Sequence, residues 1–287
     1  MRLRQAFSEL RTRLAAAGME DASLEAELLL RHTLEMSRVQ LYLELDRELG
    51  REERRSLGQL AQRRLSGEPA AYITGHREFF GLDFYVDARV LIPRPETELL
   101  AEEAIRLARR HDIKSIAEIG TGCGAVAVSL ALNLPGIAVY ATDISPEALE
   151  VARLNCRRHG VEGDIRLLEG DMLASLPAPV DLVVANLPYV REGELVGAGV
   201  SHEPRLALDG GGEGLDKIYR LCRQVAAGPG KPGHLLLEIG QGQSEAVSAY
   251  LRRLFPLAGV TSSRDLGGIE RVVRLYREMP VSQAALN

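Results

Sequence analysis

The sequence predicts an α/β protein in which a small all-α N-terminal domain precedes a larger domain built on a seven-stranded mixed sheet. Two observations predict this fold class. Residues 1–75 show only helical spacing of apolar residues, whereas the chain from about residue 115 alternates short apolar strands with helices. Such alternation is typical of a parallel sheet with helices on both faces. A chain of 287 residues, of which 46% are hydrophobic, is long enough for two domains and at least one substantial core.

Five helices are predicted in residues 1–75. The first follows apolar residues at three- and four-residue spacing from Leu3 to Leu14, and the fourth covers residues 52–66. The signals that bound the helices are a stop glycine, capping residues and a helix-starting proline: Gly18, Asp21, Ser37 with Gln40, and Pro69. No strand pattern interrupts these helices, so we expect an all-α domain.

A β-hairpin and an extended segment are predicted to join the two domains. Aromatic residues surround a glycine turn in residues 78–86, which is typical of a hairpin. Pro93 and Pro95 prevent regular structure after it, and a helix follows over residues 96–110. The chain therefore divides into three parts: a helical domain (1–75), a linker (76–95) and the sheet domain (96–287).

The strands of the sheet domain are short apolar segments, predicted at residues 115–119, 137–142, 164–168, 180–185, 233–239, 258–263 and 271–276. Helices are expected between the first five strands, such as residues 146–159, which Gly160 ends. The last two strands are joined by a short segment, residues 264–269, without room for a crossover helix. We therefore expect these two strands to pair antiparallel.

Composition argues against several classes of protein. The net charge of −5, from 35 basic and 40 acidic residues, argues against a protein whose main role is to bind the phosphate backbone of a nucleic acid. No stretch of 18 apolar residues suggests a membrane span, and the N-terminus lacks the features of a signal peptide. The three cysteines form no CxxC pair and the six histidines show no metal spacing. We expect neither disulfides nor a metal site. The expected compartment is a reducing cytoplasm.

A glycine-rich loop, Gly120-Thr121-Gly122-Cys123-Gly124, follows the first predicted strand of the sheet domain and precedes a helix predicted over residues 125–134. Glycines in such a loop let the backbone turn sharply and let a ligand approach closely. Dinucleotide dehydrogenases share this feature, so the loop alone leaves two cofactors open. The G-x-G-x-G spacing, with Glu118 two residues before the first glycine, favours S-adenosylmethionine, which has no pyrophosphate to cradle.

Two further residues fall where the same cofactor would meet the next strands. Asp143 follows the second predicted strand, where a carboxylate can bond both hydroxyls of a ribose. Met172 follows the third strand and is placed to flank an adenine ring. An alternative role for Asp143 is to cap the next helix, but Ser145 and Pro146 already serve that role. The pattern predicts a Rossmann-like class I methyltransferase domain.

The tetrapeptide Asn186-Leu187-Pro188-Tyr189 follows the buried fourth strand and is the candidate catalytic segment. Ligands of open α/β sheets lie beyond the carboxyl ends of the strands, which places the tetrapeptide beside the glycine loop. An amide or aromatic amine nitrogen is a poor nucleophile because its lone pair is delocalised. The Asn186 side-chain oxygen and the Leu187 carbonyl, held extended by Pro188, can accept its two N–H groups, and Tyr189 offers an aromatic face. The segment therefore predicts catalysis by positioning.

Two alternative interpretations of the tetrapeptide stay open. It can be a simple strand-ending turn, since Asn and Pro are common turn residues, but its register with the glycine loop and Asp143 favours a site. It can also serve methyl transfer to the exocyclic NH₂ of a flipped base, as in an N6-adenine methyltransferase of nucleic acid. The acidic net charge and the balance of 12 Arg against 12 acidic residues in residues 1–75 disfavour that substrate.

These motifs resemble the release-factor glutamine N5-methyltransferase family, the HemK/PrmC type, over essentially the whole chain. The resemblance is carried by the helical domain, the glycine loop and four shorter segments, namely residues 78–82, 91–98, 186–189 and 265–271. Residues 91–98 are the most specific, since amino-methyltransferases of nucleic acids generally lack them. The family's usual tetrapeptide is Asn-Pro-Pro-Tyr. Leu187 departs from it, but its backbone carbonyl still serves, so we expect the chemistry to survive.

The resemblance implies that the chain uses S-adenosyl-L-methionine to methylate the glutamine of the Gly-Gly-Gln loop in class I peptide-chain release factors. Residues 120–124, Asp143, Met172 and Asn186 are then expected to contact the cofactor. Asn186, Pro188 and Tyr189 are expected in catalysis, and they contact the glutamine together with Leu187. The residues expected to line the substrate entrance are Arg94, Glu96 and Thr97. The helical domain is expected to dock the body of the release factor.

Two further functions remain as alternatives to this one. The target glutamine can belong to a ribosomal protein, which the chemistry alone does not distinguish. A non-catalytic adapter would bind the cofactor and act by interaction, but the intact Asn186, Pro188 and Tyr189 argue against it. We expect a monomer that forms no stable complex with nucleic acid or membrane.

Overall fold

The computed structural model describes residues 1–195, 202–228 and 232–277. It divides into two compact units, Met1–His76 and Arg77–Asn287. In the part of the chain that it describes, no helix combines the length and the hydropathy that crossing a membrane requires.

The first unit consists of five helices, as predicted: α1 (Leu3–Ala16), α2 (Ala22–Leu34), α3 (Arg38–Leu43), α4 (Arg51–Leu65) and α5 (Ala70–Thr74). The predicted capping box starts α3, because Gln40 N donates to Ser37 Oγ at 3.3 Å and Ser37 N donates to Gln40 Oε1 at 2.8 Å. Leu3, Leu10 and Leu14 of the predicted stripe on α1 are buried in a core of their own with residues of α2 and α4. The apolar periodicity therefore marks the buried face of the helix.

From His76 onward the chain forms the predicted hairpin, the sheet and the helices of the sheet. Its elements in chain order are β1 (His76–Phe79), β2 (Leu82–Tyr85), α6 (Thr97–Arg110), β3 (Ser115–Ile119), α7 (Ala125–Asn133), β4 (Ala138–Asp143), α8 (Pro146–Arg158), β5 (Ile165–Glu169), β6 (Leu182–Ala185), α9 (Asp216–Ala227), β7 (His234–Glu238), α10 (Ser244–Leu254), β8 (Gly259–Arg264) and β9 (Glu270–Tyr276). The side chain of Asn155 on α8 ties the hairpin to the second unit. Its Oδ1 accepts from Tyr85 N at 2.8 Å and its Nδ2 donates to Tyr85 O at 2.9 Å.

The sheet has seven strands in the order β5-β4-β3-β6-β7-β9-β8. The first five of these are parallel, and β9 pairs antiparallel with both β7 and β8. The predicted mixed sheet is thus confirmed. The strand order reverses between β3 and β6, where Ile119 is in register with Thr142 on β4 and with Ala185 on β6. The residues that follow these strands therefore meet at one edge, at the switch point where open α/β sheets bind ligands.

One helix prediction is wrong. The connection between β5 and β6 contains only a 3₁₀ helix, Met172–Ser175, where we expected an α-helix. Pro177 and Pro179 follow within a short connection, and proline removes a backbone donor and restricts the residue before it. The chain therefore has no room for a longer helix there.

Candidate active site

The glycine loop after β3 is shaped by the buried carboxylate of Glu118. Glu118 Oε2 accepts hydrogen bonds from Thr121 Oγ1 at 2.6 Å and from Ala127 N in the first turn of α7 at 2.9 Å. Burial raises the pKa of Glu118 to about 8. Thr121 consequently points into the protein, and Cys123 is buried as well. Of the five loop residues, Gly120 and Gly122 line the cleft beside the loop, whereas Thr121, Cys123 and Gly124 do not.

Two glycines of the loop hold conformations that a side chain would disturb. Gly120 has φ +75°, and a Cβ there would lie 3.4 Å from Leu187 Cδ2 and 3.7 Å from Asn186 O. Gly124 has φ +83°, and its Cβ would lie 3.2 Å from that of Ala152 on α8. Both backbones are in the left-handed region that favours glycine. The loop can therefore approach the tetrapeptide on one side and α8 on the other.

Asp143 lies at the end of β4, and its carboxylate joins the glycine loop to α8. Its Oδ2 accepts from Gly122 N at 2.9 Å, and its Oδ1 accepts from Ser145 N at 2.9 Å. The cap of α8 is provided by Ser145, whose Oγ accepts from Ala148 N at 3.1 Å. Burial raises the pKa of Asp143. Each carboxylate oxygen has a second lone pair, so Asp143 can still accept hydroxyl groups of a ligand.

The cleft at the switch point is open to solvent and brings most of the predicted cofactor residues together. Its lining includes Gly120, Gly122, Asp143, Met172 and Asn186. Sequence reasoning missed Ile144, which also lines the cleft and is 54% exposed. An exposed isoleucine and a buried methionine in the same lining offer apolar surface for a planar ring. A carboxylate for hydroxyl groups, a glycine backbone and apolar walls are what a nucleoside ligand requires.

The tetrapeptide after β6 lies against the glycine loop. Asn186 Nδ2 donates a hydrogen bond of 3.1 Å to Thr97 Oγ1 on α6, which leaves the Asn186 oxygen available as an acceptor. Asn186, Leu187 and Pro188 line the cleft, and Leu187 is buried against Gly120. The position of the tetrapeptide at the switch point is the one we predicted.

Tyr189 is directed into the protein rather than to the cleft lining. Its hydroxyl donates to Glu238 Oε1 at 3.4 Å, and burial raises its pKa to about 12. Its backbone oxygen accepts from Gln243 Nε2 at 3.1 Å. Glu238 is 1% exposed, and burial raises its pKa to about 7. Sequence reasoning missed Glu238 and Gln243, although the end of a buried parallel strand is where polar site residues are expected.

The three predicted entrance residues occupy different places. Arg94 Nη2 lies 2.6 Å from Glu203 Oε1 in an ion pair, and Glu96 Oε1 lies 3.8 Å from an Arg271 guanidinium nitrogen. Thr97 is buried and contacts Asn186 directly. The length and glycine content of residues 191–213 predict a substrate-facing loop. Residues 196–201 lie outside the described residues, but Pro204, Leu206 and Ala207 line the cleft.

No group of three or more metal-ligating side chains occurs within residues 1–195, 202–228 and 232–277. The polar lining of the cleft includes acceptors at Asp143 and Asn186 and the charged side chains of Arg89, Asp171, Lys217 and Arg220, beside the glycine backbone and apolar walls. The two acceptors suit a group that carries N–H donors and lies next to a nucleoside.

Comparison with known proteins agrees with this geometry. Two family models match the chain, the PrmC N-terminal domain over residues 5–75 and the methyltransferase small domain over residues 96–213. The chain is 44% identical over 281 residues to the release factor glutamine methyltransferase of Moorella thermoacetica, covering 96% of this chain and 99% of that protein. It is 40% identical over 278 residues to the protein of the same name from Koribacter versatilis, covering 95% and 98%.

A solved structure shows the same fold at lower similarity. The methyltransferase from Pyrococcus furiosus superposes with a TM-score of 0.51 at 17% identity, covering 77% of this chain and 100% of that chain. Likeness at this level concerns the fold alone. The identity to the curated relatives extends over nearly the full length of both chains. The chain belongs to the release factor glutamine methyltransferase family.

Proposed function

We propose that this chain transfers a methyl group from S-adenosyl-L-methionine to the side-chain amide nitrogen (N5) of a glutamine in peptide-chain release factors. Family membership supports the substrate class and the fold supports the cofactor. The single observation that carries the chemistry is the hydrogen bond from Asn186 Nδ2 to Thr97 Oγ1. It leaves the Asn186 oxygen as an acceptor at the cleft, which is what an NH₂ group requires.

The residues present fit S-adenosyl-L-methionine, which supplies an electrophilic methyl group on a sulfonium when it is bound. Asp143 is assigned to the ribose hydroxyls, and Met172 with Ile144 to the faces of the adenine ring. Gly120 and Gly122 let the backbone approach the amino-acid part closely, since they have no side chains and line the cleft. We also predicted three other loop residues as cofactor residues, namely Thr121, Cys123 and Gly124. They are buried and stabilise the loop on the side that faces away from the cleft.

The protein's own part in the reaction is to hold the glutamine amide. We assign the Asn186 oxygen and the Leu187 carbonyl to its two N–H groups. Two acceptors fix the nitrogen and raise the electron density on it while it is aimed at the methyl group. Pro188 restricts Leu187 to an extended backbone. Tyr189 does not line the cleft, and its hydroxyl bond to Glu238 holds the end of the tetrapeptide in place. No strong general base is required, because the N–H proton is lost from an amide that has become cationic.

The substrate assigned to this site is the glutamine of the Gly-Gly-Gln loop in class I release factors. Arg94, Glu96 and Thr97 belong to the segment that leads into α6, and Thr97 contacts Asn186 of the tetrapeptide, so we assign this segment to the entrance. A glutamine of a ribosomal protein or an adenine amino group would present the same NH₂. The assay therefore has to compare these substrates.

The experiment is a mass spectrum of three substrates incubated with enzyme and S-adenosyl-L-methionine. We expect one added methyl group on the Gly-Gly-Gln peptide of an unmethylated release factor. A release factor with Gln replaced by Ala in that loop is the matched control and should gain none. Methylation of unmethylated DNA or of a ribosomal protein, with none on the release factor, would contradict the proposal.

Deletion of residues 1–75 is expected to spare cofactor binding and to impair methylation of an intact release factor. Residues 77–287 form a compact unit, and the helical unit has a core of its own. We expect KM for the intact release factor to rise at least about tenfold, which corresponds to about 1.4 kcal/mol of lost binding energy. A short Gly-Gly-Gln peptide should lose much less. Full activity of the folded truncated enzyme on the intact protein would contradict the docking role.

Leu187→Pro, which restores the family's usual residue, is expected to be nearly neutral. The Leu187 N–H donates no hydrogen bond to a described residue, so proline removes no donor that is in use. The buried Leu187 side chain loses about one methylene group, worth about 0.8 kcal/mol, and proline restricts the unfolded chain by about 0.4–1 kcal/mol in compensation. Single-turnover rates and denaturant unfolding measure both effects. A rate loss above about tenfold would show that more than the carbonyl is needed.

A further inference from the structure

Glu238 is a buried carboxylate beside the tetrapeptide that the mechanism above does not use. It ends β7, whose Leu237 is in register with Ala185 on β6, so Glu238 lies next to Asn186 in the sheet. Glu238 is 1% exposed and does not line the cleft. Its Oε2 atom has no hydrogen-bond partner among the described residues. A buried carboxylate that is so poorly satisfied is costly, and packing alone does not explain it.

Two donors act on this carboxyl group, and both belong to the candidate site. The Tyr189 hydroxyl donates to Oε1 at 3.4 Å. Thr97, which contacts the neighbouring Asn186, is the second partner, and its hydrogen bond to the carboxyl group opposes the rise in pKa that burial causes. Thr97 Oγ1 in turn accepts from Asn186 Nδ2 at 3.1 Å. A relay of donors therefore runs from the Asn186 amide through the Thr97 hydroxyl to Glu238.

The direction of this relay determines which atom of the Asn186 amide faces the cleft. An ionised carboxylate only accepts, so the single hydroxyl proton of Thr97 has to point toward Glu238. The Thr97 oxygen then accepts from the Asn186 NH₂, and the Asn186 oxygen is left for the substrate. A neutral donor at position 238 would let Thr97 point its proton at the Asn186 oxygen instead. The amide would turn, and its NH₂ would face the NH₂ of the glutamine.

We infer that Glu238 is a positioning residue, whose carboxylate acts through Thr97 to keep the Asn186 oxygen facing the substrate and through Tyr189 to hold the tetrapeptide. The inference rests on the proposed function. Gln243 supports the same loop from its backbone, since its Nε2 donates to Tyr189 O at 3.1 Å while its Oε1 accepts from Gly240 N at 2.8 Å. Residues 238–243, from the end of β7 to the start of α10, thus contact the tetrapeptide at both its side chains and its main chain.

The charge of Glu238 depends on the groups packed around it. Burial is the largest influence and raises its pKa to about 7, and Glu96 raises it further. The Thr97 and Tyr189 hydroxyls and the Arg271 guanidinium lower it. Because the ionised form orients Asn186, the methyl-transfer rate is expected to fall as the pH drops through about 7. In Glu238→Gln this dependence on pH is expected to disappear.

The test compares Glu238→Gln, Thr97→Val and the double variant in single-turnover transfer to a release factor at saturating S-adenosyl-L-methionine. Each single variant is expected to be about 10- to 100-fold slower, since misplacement of a reacting group costs up to about 100-fold. The double variant should lose no more than the slower single variant, because both changes break one relay. Cofactor affinity, measured by calorimetry, should change less than about twofold, since neither side chain lines the cleft.

Two further variants separate positioning from general structural damage. Thr97→Ser keeps the hydroxyl and should recover most of the rate lost in Thr97→Val. Glu103→Gln alters another buried carboxylate of the same unit, bonded to Ser263 rather than to the tetrapeptide, and should keep the wild-type rate and pH profile. If thermal unfolding shows that Glu238→Gln is not folded, the comparison of Thr97→Val with Thr97→Ser tests the positioning role.

Wild-type rates in both Glu238→Gln and Thr97→Val would overturn the inference, as would losses that add in the double variant or an unchanged pH profile in Glu238→Gln. The proposed function fails separately. A wild-type enzyme that leaves the release factor unmodified but methylates another glutamine-containing protein would contradict the substrate. The relay would then be measured with the same variants on that other protein.

Discussion

Asn186→Ala is expected to slow methyl transfer to a release factor by about 100- to 1,000-fold, the loss typical of one preorganised partner of a transition state. The Asn186 amide is held by its hydrogen bond to Thr97, so its oxygen is the acceptor we assign to the glutamine NH₂. As the methyl group bonds to nitrogen, positive charge grows there and the N–H groups become stronger donors. Alanine removes the acceptor when it is needed most. Single-turnover rates at saturating cofactor measure this loss.

Asn186→Asp is the informative companion of this variant. Aspartate keeps the shape and an acceptor for the substrate, but it has no N–H group to donate to Thr97, and it adds a negative charge beside the cofactor's sulfonium. We expect impaired turnover that is less severe than in Asn186→Ala. The same variants are assayed on unmethylated DNA. Ordinary turnover by Asn186→Ala on the release factor would contradict the mechanism, and a strong preference for DNA would contradict the substrate.

Asp143→Ala is expected to weaken S-adenosyl-L-methionine binding at least tenfold, because each charge-assisted hydrogen bond to a ribose hydroxyl is worth about 1.5–3 kcal/mol. In the wild type, Gly122 N and Ser145 N each donate a hydrogen bond of 2.9 Å to the Asp143 carboxylate. Alanine removes this acceptor, so the glycine loop loses an anchor. Asp143→Asn has one acceptor oxygen instead of two and should lie between alanine and wild type. Calorimetric titration with the cofactor measures all three affinities.

The matched control for Asp143 is Glu162→Ala, an exposed acid of the same unit that pairs with Arg157 and does not line the cleft. It should bind the cofactor like wild type.

Burial raises the pKa of Asp143, and only the carboxylate makes charge-assisted bonds. Wild-type affinity is therefore expected to weaken as the pH falls toward that raised pKa, and Asp143→Asn should lack this dependence. Unchanged affinity in Asp143→Ala would remove Asp143 from the site, and tight NADH binding by wild type would contradict the cofactor.

The location of the site was predictable from the sequence because all strands of a parallel sheet end at the same edge. Gly120, Asp143 and Asn186 each follow a strand that the local pattern marks, and the carboxyl ends of parallel strands meet at one edge. The five helices of residues 1–75 were predictable for a similar reason, since caps and apolar spacing act within a few residues. The wrong helix between β5 and β6 shows the limit. There the alternation suggested a helix, but Pro177 and Pro179 restricted a short connection.

The sequence by itself thus determined the fold class, the order of the elements and the residues at the strand ends. Only the tertiary structure decided how those residues are held. Asn186 bonds Thr97 across 89 residues of chain, and Tyr189 bonds Glu238 across 49. Such contacts depend on which strands become neighbours and on which way each side chain turns. No local pattern encodes that choice, because the free energy that favours it comes from burying distant groups together.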